Sequence, residues 1–479
     1  MAPHQPHTMV DGSITPNCGY ESPNEDNQPP FFFGPSPTAS GAVTPTTTSA
    51  GPGRITIARP TLPSRHSQLT FHISGRRSLP PSRPPSPQTR SSIMDMVAQS
   101  EKLNRAACVS IKDRIACYQW TYFTMTMATG GIANVLHGLS YKASWITGVG
   151  VFFCLLNIIL FVTNCILLSA RFYLRPGSLT KSFTDQVESL FIPAFFVSIA
   201  VISINICQYG VPHCGAWLLR TMEIIFWIYL SLSAIASSGL YLILWSTLIF
   251  PVHMMTPTWV FPAYPLLLTA PFASNLIGSA KRAGLGISQN AAAIAFSAVT
   301  AQGTGVLIAL MISAAFLYRL MTQKLPRAVQ RPGVFISIGP FAFTAAGIAQ
   351  LGNQAGDFLP DNFLGTQYAV DIIKIISLLV ALWFWGLAMW FFLVSVGSLW
   401  KYVRTGRGMP FQMTWWSFVF PNTALVTAIE IMGNILESPG IQLFGCIMTI
   451  ILIIVWIGVF ITMIRCLKER KLLWPKSNA

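Results

Sequence analysis

Long uncharged runs limit what this chain can fold into more than any other feature. Trp145 to Ala170 carries no charged residue, and neither does Ile375 to Trp400. Each run exceeds the ~20 apolar residues that cross a bilayer core as a helix. Soluble domains carry roughly 25% charged residues. Here the charged share is 10%, the hydrophobic share 52% and the mean hydropathy +0.53. These values describe an all-α integral membrane protein whose main partner is the lipid bilayer.

From Cys117 onward the sequence predicts ten apolar spans, at 118–138, 145–171, 189–208, 218–246, 258–279, 288–320, 332–353, 368–400, 411–435 and 441–466. Residues 116–466 thus form a ten-helix transmembrane domain. Residues 1–115, rich in Pro, Ser and Thr without sustained periodicity, read as a disordered tail, and 467–479 as a short basic tail. No apolar stretch near Met1 has the form of a secretory signal peptide. In the long tail, Arg76-Arg77-Ser78 and Ser86-Pro87 have the form of kinase sites, where a phosphate would add negative charge to a basic segment.

The charges orient the spans. With the N-terminus in the cytosol, the inner loops carry Arg171, Arg175, Lys181, Arg319, Lys324, Arg327, Arg331, Lys401, Arg404 and Arg407, ten in all. The outer loops carry four: Lys142, Arg220, Lys281 and Arg282. The positive-inside rule and an even span count both put the two termini in the cytosol, with the plasma membrane as the expected location. The net charge of +15 is spread over these loops, so it argues for membrane topology and against nucleic acid.

The spans alternate in character. The third contains Pro193, the fifth Pro262, Pro265 and Pro271, the seventh Pro340 and the ninth Pro421, while the first has Gly130-Gly131. The even spans contain no internal proline. Proline removes a helix hydrogen bond and bends the chain, and freed backbone groups in a membrane are tolerated inside protein or beside a wet cavity. The expected architecture is five helical hairpins, with kinked odd helices around a central path and smooth even helices against lipid.

Nothing points to catalysis or to a cofactor. The chain has no phosphate-binding glycine loop, and its nine cysteines form no CxxC pair or metal-spaced His/Cys cluster. Cys207 and Cys214 flank a short loop placed on the outer side, where the oxidising compartment allows a disulfide. Charges inside spans are costly and carry functional weight. Glu430 is a candidate for coupling proton entry to solute movement, or for pairing with Lys374. His137 is a candidate titrating group, or a packed and hydrogen-bonded one. Arg331, opening the seventh span from the cytosol, combines its charge with a helix N-terminus to attract anions, or serves as a membrane anchor.

Several blocks then become recognisable in order. They are Met127-Ala128-Thr129-Gly130-Gly131-Ile132 with His137, Thr256-Pro257-Thr258-Trp259-Val260-Phe261-Pro262-Ala263-Tyr264-Pro265, and Gln302-Gly303-Thr304-Gly305 with Tyr318-Arg319-Leu320-Met321. Arg331-Pro332-Gly333-Val334-Phe335-Ile336 follows, then Gly339-Pro340-Phe341-Ala342-Phe343-Thr344, and finally Trp415-Trp416-Ser417-Phe418-Val419-Phe420-Pro421-Asn422. Over residues 115–466 the chain resembles the tellurite-resistance/dicarboxylate transporter family, and within it the fungal malic-acid transport branch. Ala128, the extra Gly131 and Phe341 depart from the family pattern, which leaves the substrate open.

The resemblance implies the fold of plant slow-type anion channels, often trimeric, with a pore lined by the odd helices. It implies a small anionic solute, with malate or another C4-dicarboxylate coupled to protons as the first expectation. Sulfite efflux and a passive gated anion channel are the alternatives. A phenylalanine of the ninth helix blocks the pore in the related channels, and Phe420 resembles it. Phe261, also before a proline, is a second gate candidate. Thr129, Gly130, Pro262, Pro340, Thr344, Pro421 and Asn422 are expected along the path. There the polar ones offer neutral hydrogen bonds that let an anion leave again, or else bond their own helices.

Overall fold

The computed structural model describes residues 110–285, 290–360, 362–400 and 409–474. The expected kinase sites and the parts of both tails beyond these residues lie outside the described part.

Ten principal helices follow one another: α1 Phe123–Gly138, α2 Ser144–Leu174, α3 Pro193–Asn205, α4 Ala216–Thr247, α5 Thr269–Arg282, α6 Ala291–Thr322, α7 Ile338–Asn353, α8 Ala369–Ser398, α9 Phe420–Ile435 and α10 Pro439–Lys468. No strand occurs among the described residues. The even helices run 31, 32, 32, 30 and 30 residues. At 1.5 Å per residue each is about 45 Å long, the full depth of a bilayer with its headgroups. Among the described residues eight segments are long and apolar enough to cross a membrane, and Pro257–Ala263 with Leu266–Arg282, bent by 71°, makes a ninth if the pair is taken as one span.

The remaining span, α1, has only 16 residues. It needs no lipid-grade hydropathy, because 13 of those 16 are buried by protein.

The alternation is physical. In α7, 13 of 16 residues are buried, and in α9, 12 of 16; in α8 and α10 only 7 of 30 are. The odd helices form the inner layer and the even ones the outer. Exposed Tyr141, Trp145, Trp217 and Tyr368 ring one end, and Tyr173, Trp245, Tyr318 and Trp400 the other. Aromatic belts at the two levels mark membrane interfaces.

The prolines act differently from the kinks expected of them. Every odd helix is preceded by a 3-10 stretch: Trp120–Tyr122, Ser189–Phe191, Pro257–Ala263 with Leu266–Leu268, Ala328–Ser337 and Met413–Phe418. Pro193, Pro271, Pro340 and Pro421 occupy the first three positions of α3, α5, α7 and α9. The N–H groups there lack an α-helical partner in any case, so proline starts these helices at little cost. Pro262 sits inside a 3-10 turn.

The third span also continues past its expected end. A π-helical turn, Ile206–Gly210, leads into a short helix Val211–Cys214. Pro212 cannot donate to the carbonyl four residues back, and the wider turn accommodates that loss. Gly215, at φ +82°, then turns the chain into α4. This overturns the expected disulfide: Cys207 is buried, Cys214 exposed, and both are free. Seven residues along a helical segment separate them by about 10 Å, beyond disulfide reach.

Candidate functional site

Phe420 begins α9 and is 3% exposed. Its ring centroid lies 5.3 Å from that of Phe343 on α7 and 6.2 Å from that of Tyr264, just before α5. Tyr264 stacks on Phe261 at 5.0 Å, and Phe261 meets Phe191 of the third span at 5.0 Å. Four odd spans thus contribute rings to one plug-like aromatic cluster. Tyr264 is pinned, because its hydroxyl donates to the Ile336 carbonyl at 2.5 Å. It fits because position 339 is glycine: a Cβ there would lie 2.5 Å from the tyrosine oxygen.

About two helical turns beyond the plug, towards the C-terminal ends of the odd helices, lies a polar belt. Asn134 of α1 donates to Thr427 of α9 at 3.3 Å. Gln208, in the π turn, donates to Asn134 and, at 2.9 Å, to Asn275 of α5. Ser274 of α5 donates to Gln350 of α7 at 3.2 Å. All five odd spans contribute. Thr427 and Gln350 each follow their plug residue by seven positions, which at 100° per residue returns them to the same helix face.

These belt residues escaped the sequence reading. Their signal was present: amide side chains in apolar spans are costly unless partnered, and the odd spans carry them at matching depth.

Other expected path residues point elsewhere. The Thr129 hydroxyl donates to Met125 O at 2.8 Å and accepts from Trp456 Nε1 of α10 at 3.2 Å. The Thr344 hydroxyl donates to Pro340 O at 2.7 Å and accepts from Gln302 of α6 at 2.8 Å. Asn422 Nδ2 donates to Phe418 O at 2.8 Å. The two threonines bond their own helices four residues back and face outer helices, while Asn422 reaches back to the 3-10 stretch that precedes α9. A Cβ on Gly130 would strike Asn157 of α2 and Val201 of α3, so this glycine lets helices approach closely. Pro340 and Pro421 start the two helices that carry Phe343 and Phe420.

Gln302, fully buried, also accepts from the Ala270 N–H at 3.3 Å, so an outer helix caps the first turn of α5.

Arg331 is half-buried and donates to Pro326 O at 3.3 Å and Ser398 O at 3.0 Å. Ser398 closes α8, so this cation sits on the negative end of a helix dipole. The opposite end, where the odd helices finish, holds other cations. Lys142 follows α1, and its ammonium is drawn below its ordinary range, first by partial burial and then by nearby Arg282, with Glu430 opposing. Lys142 Nζ donates to His137 O at 2.6 Å.

His137 lies edge-on to Tyr209 with centroids 5.4 Å apart. Glu430 is 2% exposed and turns towards α10, where Thr449 donates to Oε1 at 3.2 Å. Its Oε2 has no hydrogen-bond partner among the described residues and occupies the space a side chain at Gly138 would fill. Among the described residues no cluster of three or more metal-ligating side chains occurs.

Residues 117–464 match the family described as voltage-dependent anion channel. The malic acid transport protein of Schizosaccharomyces pombe is 26% identical over 376 residues, covering 78% of this chain and 84% of that protein. A sulfite efflux pump of Arthroderma benhamiae is 25% identical over 353 residues, covering 73% and 91%. An uncharacterised transporter of Methanocaldococcus jannaschii is 26% identical over 352 residues, covering 71% and 90%.

Proposed function

Because this chain belongs to the voltage-dependent anion channel family, we propose that it carries small organic anions across the membrane, with a C4-dicarboxylate such as malate as its solute. The observation that supports this reading best is the plug of Phe420, Phe343 and Tyr264, drawn from three odd spans and followed outwards by a belt of neutral polar side chains. An aromatic constriction excludes water, and a desolvated anion crosses it only at high cost. Rotation of the Phe420 ring, or movement of α9, opens it. Neutral amides beyond the ring hold an anion without trapping it.

Uncoupled, such a path is a passive channel. Coupled, it needs a proton carrier beside it, and Glu430 at the outer end of α9 fills that role in our reading. The plasma membrane, with both termini cytosolic, is its proposed setting.

The test uses the full chain in liposomes with labelled malate and, separately, labelled sulfite, with and without a pH gradient. Saturable malate flux that rises with the gradient supports the proposal. Sulfite flux without malate flux replaces the substrate, and malate flux indifferent to the gradient removes the coupling.

A further inference from the structure

Gln208 sits in the π turn that follows α3, a wider turn of the kind frequent at functional sites, and is 5% exposed. Its Nε2 donates to Asn134 Oδ1 of α1 and, at 2.9 Å, to Asn275 Oδ1 of α5. The direction of these bonds is fixed from one end. Asn275 Nδ2 donates at 2.8 Å to the Pro271 carbonyl, which only accepts. Asn275 therefore turns its oxygen to Gln208, and Gln208 answers with its nitrogen. Asn134 takes that bond on its oxygen and gives its own Nδ2 to Thr427 at 3.3 Å. Reversing any one of these amides would set two donors or two acceptors against each other. One group is left over: Gln208 Oε1, buried and without a hydrogen-bond partner among the described residues.

The belt is also the floor of a funnel. Along α1 the first residue that is not buried is Asn134, and along α9 it is Thr427. Ile431 and Asn434, four and seven positions on, share the face of Thr427 and are partly buried and exposed. On α1, His137 is partly exposed as well. The inner helices thus part towards their C-terminal ends, and Asn134 and Thr427 are the first polar side chains at the bottom of that opening. Gln208 lies one hydrogen bond beneath them.

Given the organic-anion path proposed above, on which this step rests, we infer that Gln208 selects a 2-hydroxycarboxylate, its Nε2 donating to the carboxylate and its Oε1 accepting from the neighbouring hydroxyl. Asn134 swings aside and frees one N–H, while Asn275 keeps the other and holds the amide in place. A hydroxyl and a carboxylate on adjacent carbons present a donor beside an acceptor, and one planar amide presents the complement. Succinate, which is malate without the hydroxyl, frees the same N–H and leaves Oε1 unpaired. A site that hydrogen-bonds a hydroxyl rejects the analogue lacking it, because its own buried group then goes unsatisfied.

The full-length protein in liposomes is assayed for uptake of labelled malate and labelled succinate at a pH where both are dianions, as wild type and as Gln208→Met. Wild type should half-saturate with malate at a concentration about tenfold below that for succinate, the worth of one buried neutral hydrogen bond. Gln208→Met keeps the side-chain length and removes both donor and acceptor, so the two values should converge. This ratio does not depend on how much protein is folded, so lost stability cannot imitate the result. Asn134→Ala removes the competing oxygen and should lower half-saturating malate several-fold with the preference for malate intact. Equal half-saturation by the two diacids in wild type would overturn the inference, whatever the variants do. So would an undiminished preference in Gln208→Met. If neither diacid moves while labelled sulfite does, it is the organic-anion reading that fails, and the selection of a hydroxy acid goes with it.

Discussion

Phe420 packs between rings from two other spans, and truncating it tests the plug directly. Phe420→Ala should raise anion flux several-fold over wild type at matched protein density in liposomes, with a stability cost of about 3–5 kcal/mol typical of a buried Phe→Ala change. Unchanged flux would mean that the ring is ordinary packing. Gly339→Ala probes the same place by addition. The new Cβ would sit 2.5 Å from a tyrosine oxygen already held by Ile336, so it cannot be absorbed by a rotamer change. Overpacking of this kind costs about 1–3 kcal/mol, read as a lowered melting temperature in detergent. Phe420 and Phe261 were legible in the sequence because each precedes a proline in a recognisable block. Tyr264 and Phe343 stood in the same blocks, but nothing in one dimension says which way a side chain points. For the same reason Thr129 and Thr344 read as path residues and proved to bond outer helices.

At the scale of elements, the alternation of proline-bearing and proline-free spans foretold the inner and outer layers, because it reports where the backbone can afford unsatisfied groups. It did not foretell the 3-10 entries. Proline tolerance at a first turn and proline kinking in a helix interior look alike until the helix start is known. Layer joints were also hidden. Arg171, near the inner end of α2, and Glu188, beside the 3-10 turn that begins the third span, form a two-pronged ion pair with side chains only 10% and 7% exposed. Seventeen residues apart in sequence, they read as one loop charge and one unremarked acid. Breaking a buried pair strands a charge, so Arg171→Met alone should destabilise the fold by about 3–5 kcal/mol. Arg171→Met with Glu188→Leu should recover most of that. Thermal unfolding of the two variants in detergent measures the difference, and equal loss in both would show that the pair is not what joins these layers.

Across the whole molecule, the charge count placed more cations inside than outside, yet the cations nearest the outer end of the proposed path are few and identifiable. Lys281 is held by Asp357 at 2.7 Å. Lys142 and Arg282 stand close enough to depress the Lys142 ammonium. Two neighbouring cations beside an anion route raise the local anion concentration, and the effect fades as salt shortens the Debye length from about 10 Å at 0.1 M to about 3 Å at 1 M. Lys142→Gln with Arg282→Gln should therefore raise the half-saturating external malate concentration several-fold at low salt and by much less at 1 M salt.

The pH response has a definite sign. A lysine whose folded-state value lies below the ordinary 10.5 loses its charge sooner as pH rises. Attraction from the outer side should therefore weaken on the alkaline side before free lysine would titrate, and Lys142→Gln alone should remove that part of the decline. The measurement is initial uptake against external pH at fixed internal pH, in wild type and variant. Superimposable alkaline limbs would mean that Lys142 does not act on the entering anion. A vanished limb would tie the outer charge to the same path that Phe420 closes.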